Sequence, residues 1–469
     1  MTQSLTANAT VQDYKDHVNP QWVRLLELLE MNTQYVRCEG VELTTAEGRT
    51  ILDFLSGYCV HNAGHNHPAI IAQLQDELAR RGPAMLQSHV PEMAGDLAKR
   101  LCALANGAVN GSRKLSKVFF ASSGSEGVES AIKFSRAATG REGLLYADGA
   151  FHGLTCGALS LMGDQFWRGK FGPMLANTAA LPFGDLDALQ ERLATKQYAA
   201  FIVEALQSEA GIRLPPEGYL RAARQLCTRY GTLFVLDEVQ TGMFRTGHFL
   251  AAHHSAGVDR NRVEPDMVVL AKALSGGLIP VSALLMTEAV YGAVYSSLKR
   301  SIIHTSTFSE NGMAMRAGLA TLDVLEGENL GERALVSGEV LRQKLRDALS
   351  GFEMVQEVRG LGMLSGIAFQ APRSVRLRLA FEAFRHIHES MFGQVIVMRL
   401  FRSIPAKPGI LTQICGNNFM VLKVAPPLVA TEEHLDTFVA AIRAVTEAMH
   451  GSAAFWAEPL GLARRVMNI

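Results

Sequence analysis

Net charge of either sign is missing from this chain. Its 469 residues carry 45 Lys and Arg against 45 Asp and Glu. That excludes the strongly basic footprint of a general nucleic-acid or anionic-membrane binder. Cysteine is scarce, with six in all: Cys38, Cys59, Cys102, Cys156, Cys227 and Cys415. No two are spaced C-x-x-C, so a thiolate zinc or redox pair of that kind is not expected. Six is also too few for a disulfide framework, and buried free thiols in a reducing compartment are the expectation. Long apolar runs are lacking too. The longest stretch free of Asp, Glu, Lys and Arg, residues 54–75, includes His61, Asn62, His65, Asn66, His67 and Pro68 and is too polar to span a bilayer. The opening MTQSLTANATVQDYKD has no apolar core of a signal peptide. A cytoplasmic protein without an integral membrane segment is expected.

What is present is a chain rich enough in apolar residues, 48%, and modest enough in charge, 19%, to build large cores. There is no internal repeat and no low-complexity linker. Short apolar runs at 118–121, 200–203, 233–236, 267–270 and 281–286 lack period-two alternation, as strands covered on both faces do. Between them lie helical stretches at 127–139, stopped by Gly140, and 219–230, stopped by Gly231. This pattern predicts an α/β fold with a mostly parallel sheet. The last third reads differently. It offers a long helix at 331–349, a glycine-rich strand pair at 358–369 and a closing helix at 431–450 with Thr431 as N-cap. The expected division is an N-terminal segment, 1–85, joining a small α+β domain at 336–469, with a large domain at 86–335 between them.

Three segments carry chemistry. In FFASSGSEGVESAIKFSR, residues 119–136, a strand runs through Ser122, Ser123, Gly124 and Ser125 straight into a helix. Hydroxyls and free N–H groups at a helix N-terminus suit a phosphate; a well-capped tight turn is the plainer reading. In LFVLDEVQTGMFRTG, residues 233–247, a strand ends in Asp237 and Glu238, where parallel sheets bind ligands. A carboxylate there can hold a cationic ring nitrogen or merely cap a turn. In PDMVVLAKALSGGLIP, residues 265–280, Lys272 is flanked by Ala271, Ala273 and Leu274. Burial disfavours an ammonium, and the neutral amine can form a Schiff base with an aldehyde; a snorkelling surface lysine is the alternative. Phosphate site, strand-end aspartate and apolar lysine, taken together, are what a pyridoxal 5'-phosphate pocket needs.

The sequence then resembles the class III aminotransferases, fold type I pyridoxal phosphate enzymes that include the ornithine, acetylornithine, 4-aminobutyrate and putrescine aminotransferases. The likeness spans roughly residues 41–446 through GHNHP, SSGSEGVESAIK, GAFHG, VEALQSEAG, LDEVQTGMFRTG, LAKALSGG, HTSTFSEN and VAPPLV. It implies a large domain with a mostly parallel central sheet between helices, a smaller α+β domain, and pyridoxal 5'-phosphate as cofactor. By position it makes Lys272 the Schiff-base lysine and proton shuttle, Asp237 the pyridinium partner and Gln240 the contact to the ring hydroxyl. Ser123, Gly124 and Ser125 form the phosphate cradle. Phe151 is the stacking ring, with His152 and Gly153 completing its turn. Thr307 matches a threonine that binds the phosphate of a neighbouring subunit, which implies a homodimer with shared sites. His65 and His67 look like a metal pair but are structural by the motif; no metal is expected. Arg245 is read as structural, paired with a nearby acid.

Two departures bear on the substrate. Where relatives place an arginine after the aromatic-His-Gly turn, this chain has Leu154, which cannot hold a carboxylate. Where a second arginine grips the α-carboxylate, parked on a glutamate matching Glu209, this chain has Lys423, which lacks the bidentate fork. Tyr58 matches a pocket aromatic of ornithine-type enzymes. A long segment, 388–418, separates the helix at 377–386 from the A-P-P-L motif. It is expected to be an edge hairpin, or else a lid that lengthens the pocket or meets a lipid surface. The reaction implied is ping-pong transamination between an ornithine- or putrescine-like amine and a keto acid or aldehyde. The alternatives are a bulky or lipid-linked substrate such as a hopanoid side chain, a lyase, decarboxylase or mutase on the same cofactor, or a non-catalytic scaffold.

Overall fold

The computed structural model describes residues 7–86, 88–107, 114–255, 263–387, 389–402, 408–451 and 455–457. Its centre is a seven-stranded sheet in the order Leu115–Ala121, Ser282–Thr287, Met267–Leu270, Leu233–Asp237, Tyr198–Glu204, Gly143–Ala147, Thr178–Leu181. The last five run parallel. Ser282–Thr287 is antiparallel to both neighbours, so the sheet is parallel save for one reversed strand. Every residue of Gly143–Ala147, Tyr198–Glu204, Met267–Leu270 and Ser282–Thr287 is buried. Helices cover both faces, which is why these strands read as unbroken apolar runs. The sequence pattern passed over Gly143–Ala147 and Thr178–Leu181. The latter is a four-residue edge strand, mostly half-buried or exposed, with little apolar signal.

The helix Gly124–Thr139 illustrates how the sheet is covered. Val128, Ala131, Ile132, Phe134 and Ser135 are buried at helical spacing. Ser123 caps it by accepting the Glu126 N–H, and the Glu126 carboxylate returns to the Ser122 N–H and the Ser123 hydroxyl. Gly140, at φ +67°, ends it. Gly127 permits the close approach, because a Cβ there would stand 2.7 Å from Val269 Cγ1 on the strand below.

Two smaller sheets flank this core. One is antiparallel, in the order Val355–Leu361, Leu364–Phe369, Asn418–Val424, Gln413–Cys415. The other joins Tyr35–Glu39, Glu42–Thr45 and Thr50–Asp53 to Gly409–Leu411, which pairs parallel to Thr50–Asp53. Helix Glu432–Gly451 closes the chain, with the Thr431 hydroxyl accepting the His434 N–H.

The segment at 388–418 is neither a simple edge hairpin nor a lid. Its middle is a helix, Met391–Phe401, with Phe392, Val395, Ile396, Val397, Met398, Leu400 and Phe401 buried. It packs under Gly409–Leu411 and Asn418–Val424. A helix apolar on all sides belongs in a core, so the unalternating run at 395–401 signalled burial rather than a pocket extension. The segment does end in an edge strand, Gln413–Cys415. Residues 388 and 403–407 lie outside the described residues.

Candidate active site

The C-terminal ends of the parallel strands converge on a cavity of about 400 Å³, where the topology of such sheets places ligands. Strand Leu233–Asp237 delivers Asp237 to its floor. The buried carboxylate accepts the His152 Nδ1–H at 2.7 Å and the Val239 N–H at 3.0 Å. His152 is itself fully enclosed, so its role is to orient the aspartate. Met267–Leu270 leads to Lys272, at φ +49° on a short 3₁₀ turn ending at Gly276. A left-handed lysine stores strain of about 1–2 kcal/mol, held here because the following Gly276 (φ +62°) and Gly277 (φ +82°) bend the chain away. Burial pushes the Lys272 pKa down, which favours the neutral nucleophile. Its Nζ donates to Gln240 Oε1 at 3.2 Å.

One rim of the cavity is a helix start. Ser123, Gly124 and Ser125 line the cavity. The N–H groups of Gly124 and Ser125 lie in the first turn, with no carbonyl one turn back to accept them. The Ser123 hydroxyl is occupied as the helix cap, so its contribution to an anion is its backbone. Gly153, at φ +120°, comes so close to Ser125 that a Cβ would stand 2.2 Å from the Ser125 hydroxyl. Phe151 lines the same cavity and meets Trp167 edge-on, centroids 5.4 Å apart.

A second cluster, outside the residues that line the cavity, comes from distant segments. Ser56, Gly57, Tyr58 and Cys59 form a left-handed turn with φ of +52°, +56°, +63° and +66°. Three of the four are not glycine, so the strain needs anchors. The Asp53 carboxylate accepts the Leu55 and Ser56 N–H groups at 2.8 Å, and the Ser56 hydroxyl donates to the Ala425 carbonyl at 2.6 Å. This turn sets the Tyr58 ring 5.5 Å from the Lys423 ammonium. Lys423 is wholly enclosed and hydrogen-bonded to Glu209, which also accepts the Gly416 N–H at 2.8 Å. Burial alone would raise the Glu209 pKa, but the Lys423 charge and these hydrogen bonds bring it below the ordinary value. The Lys423 pKa is raised by Glu209 despite burial. Neither lines the cavity floor. Leu154 is half exposed, with its N–H on the Ser125 hydroxyl at 3.3 Å.

Thr307 is not brought to this cavity. It is exposed in a second hollow with Met85, His304, Glu310 and Arg316. Arg245 is fully buried, but its partners are Asn62 Oδ1 and the carbonyls of Met363 and Pro426 rather than an acid. Asn62 and the backbone carbonyls satisfy the hydrogen bonds of the fork, and burial pushes the Arg245 pKa down. His65 bonds Asp53 at 2.7 Å and His67 bonds Glu328 at 3.0 Å. No cluster of three or more metal-ligating side chains occurs among the described residues. Sequence reasoning missed Glu204, Trp167 and Asn417. Glu204 ends an apolar strand just as Asp237 does, which was a usable signal. Trp167 donates to Asn417 Oδ1 at 2.7 Å across 250 positions, and nothing local announces that.

A lysine, an aspartate and a phosphate cradle around one cavity fit pyridoxal 5'-phosphate, and comparison with known proteins agrees. The class-III aminotransferase family matches residues 27–446, and the chain belongs to that family. Its fold is the fold type I architecture of that family's solved members. The chain is 32% identical, over 93% of its length, to aminotransferase PigE of Serratia sp. (strain ATCC 39006). It spans about half of that relative, 53%. Among solved structures it resembles the ornithine aminotransferase of Toxoplasma gondii, at 26% identity, with 96% of each chain covered and a TM-score of 0.80. It also resembles the acetylornithine aminotransferase of Elizabethkingia anophelis, at 30% identity, with 91% and 98% covered and a TM-score of 0.68. No helix among the described residues is long and apolar enough to cross a membrane.

Proposed function

We propose that this chain moves nitrogen from a terminal amine, ornithine- or putrescine-like, to a keto acid or aldehyde in two ping-pong half-reactions. The observation that carries it is Lys272, a strained lysine with a lowered pKa, facing Asp237 across a cavity whose rim is a phosphate cradle. Bound pyridoxal phosphate supplies an aldehyde for the amine and a ring that takes up electrons. Asp237, steadied by His152, holds a proton on the ring nitrogen. Gly124 and Ser125 anchor the phosphate. Phe151 covers one face and excludes water. With the cofactor in place, Lys272 would be the base that holds and moves the substrate-carbon proton. Gln240 orients the lysine from 3.2 Å.

The substrate side favours an amine without a carboxylate near its apolar end. Lys423 is spent on Glu209, and Leu154 offers an apolar surface. Exposed Leu154 and Phe166 also favour the second reading, a bulky apolar substrate such as a lipid-linked amine or aldehyde; from the segment at 388–418, Gly416 and Asn417 reach Glu209 and Trp167, while its helix is core. A homodimer with shared sites is part of the proposal. Thr307 lies in a hollow lined by exposed Met85 and Leu86, with exposed Phe308 beside it, a face suited to a second copy. A cytoplasmic setting fits the six free cysteines.

The test is an absorbance spectrum of the cofactor-loaded protein titrated with putrescine, ornithine, 4-aminobutyrate, glutamate and a long-chain amine. Bleaching by putrescine before ornithine supports the reading. Bleaching by the long-chain amine alone transfers it to the bulky substrate. A protein that takes up no pyridoxal phosphate overturns it.

A further inference from the structure

Two carboxyl side chains stand side by side on the cavity floor, and the reaction above uses only one. Glu204 and Asp237 end adjacent parallel strands as register partners, about 4.8 Å apart across the sheet. Both line the cavity, 7% and 5% exposed. Two carboxylates so close in a buried site do not both ionise. Hydrogen bonds decide which one does. Asp237 accepts the His152 Nδ1–H at 2.7 Å and the Val239 N–H at 3.0 Å. Glu204 accepts the Phe151 N–H, at 3.3 Å, and no ion pair to it occurs among the described residues. The charged groups around Glu204 are Asp237, Glu209 and Lys272, and Glu209 is committed to Lys423.

We propose that Glu204 is a positioning residue, a neutral carboxyl group that pins the Phe151 backbone, and with it the ring over the cofactor, while leaving Asp237 the sole anion opposite the pyridine nitrogen. This rests on the aminotransferase reading of the site. Burial first, and then the charge of Asp237, hold the Glu204 pKa well above the usual carboxyl value. A neutral Glu204 matters because a second anion on the floor would repel Asp237 and the phosphate-bearing ligand. The Phe151 bond matters because Phe151 belongs to the same turn as His152. One carboxyl group therefore steadies both the stacking ring and the histidine that orients Asp237.

The experiment uses the full chain with pyridoxal 5'-phosphate and no substrate, reading cofactor affinity and the pH titration of the bound cofactor's absorbance. Glu204→Gln keeps the shape and the acceptor without a charge. It is expected to hold cofactor within about twofold of the parent, with the absorbance midpoint unmoved to within about 0.3 pH unit. Glu204→Ala removes the acceptor and is expected to weaken cofactor about tenfold. If Glu204→Gln shifts the midpoint by about a unit or more, Glu204 is ionised and the proposal fails. If Glu204→Ala binds like the parent, it positions nothing and the proposal fails. Should the alanine variant not fold, the glutamine titration still decides. A parent protein that binds no cofactor is a different failure, that of the aminotransferase reading.

Discussion

The two walls of the cavity are built in opposite ways. The cofactor wall is made mostly of strand ends and one helix start between Ser122 and Val281, with Asp237 ending its strand and Ser123 and Lys272 two residues past theirs. The other side, outside the residues that line the cavity, gathers Tyr58, Glu209 and Lys423 from across the chain, through a strained left-handed turn and a buried ion pair. The first wall inherits its geometry from the sheet and can serve any reaction of the cofactor. The second is held by side-chain contacts that one substitution can undo. Changes to the first should cost rate; changes to the second should cost stability or alter preference.

The largest expected effect is on the cofactor wall. Lys272→Ala should lower the half-reaction rate by about 10³-fold or more while cofactor still binds through the phosphate cradle and Asp237; single-turnover absorbance measures it. A variant that retained a tenth of the rate would remove the lysine from the chemistry. Next comes Lys423→Met, which strands a buried Glu209 carboxylate and should destabilise the fold by about 3–5 kcal/mol. The double variant Lys423→Met with Glu209→Leu should recover most of it. Denaturant unfolding checks both, and if the double variant is no better than the single, the pair is not the keystone of that wall.

Leu154→Arg puts a guanidinium fork for a carboxylate at the mouth and should shift kcat/KM toward ornithine over putrescine by about tenfold; unchanged selectivity would place Leu154 outside the substrate's reach. The smallest effect concerns His61, beside the strained turn. Burial first, then His65, lower its pKa to about 4. Its folded form resists protonation that the unfolded chain accepts at about 6.5. Stability from this group is therefore full above pH 6.5 and is lost as pH falls from there to about 4. His61→Gln should flatten the Tm profile over that window, and an unchanged slope would assign acid loss to other groups.

Much of this site was legible in the sequence for a physical reason. Lys272, Asp237 and the Ser123–Ser125 run each sit within two residues of a buried strand or a helix start, so composition and periodicity locate them before any tertiary contact is known. The same rule reaches Glu204, which ends its strand as Asp237 ends the next. It failed at 388–418, where an all-round apolar helix was read as a surface hairpin or lid. That run has no polar face to fix its orientation, so only the neighbours that cover it could decide its place.

By itself the sequence determined five of the seven strands of the central sheet, two of the capped helices that cover it, and the places of Lys272, Asp237 and Ser123–Ser125 at strand ends and a helix start, because those follow from local hydrophobic period and caps. Only the tertiary structure decided that Lys423 is sealed onto Glu209, that Arg245 is satisfied by Asn62 and carbonyls, and that Tyr58 stands on a left-handed turn. Each depends on which distant groups fill the remaining hydrogen-bonding and packing space around a buried charge or a strained backbone, and that is a property of the assembled core rather than of any stretch of chain.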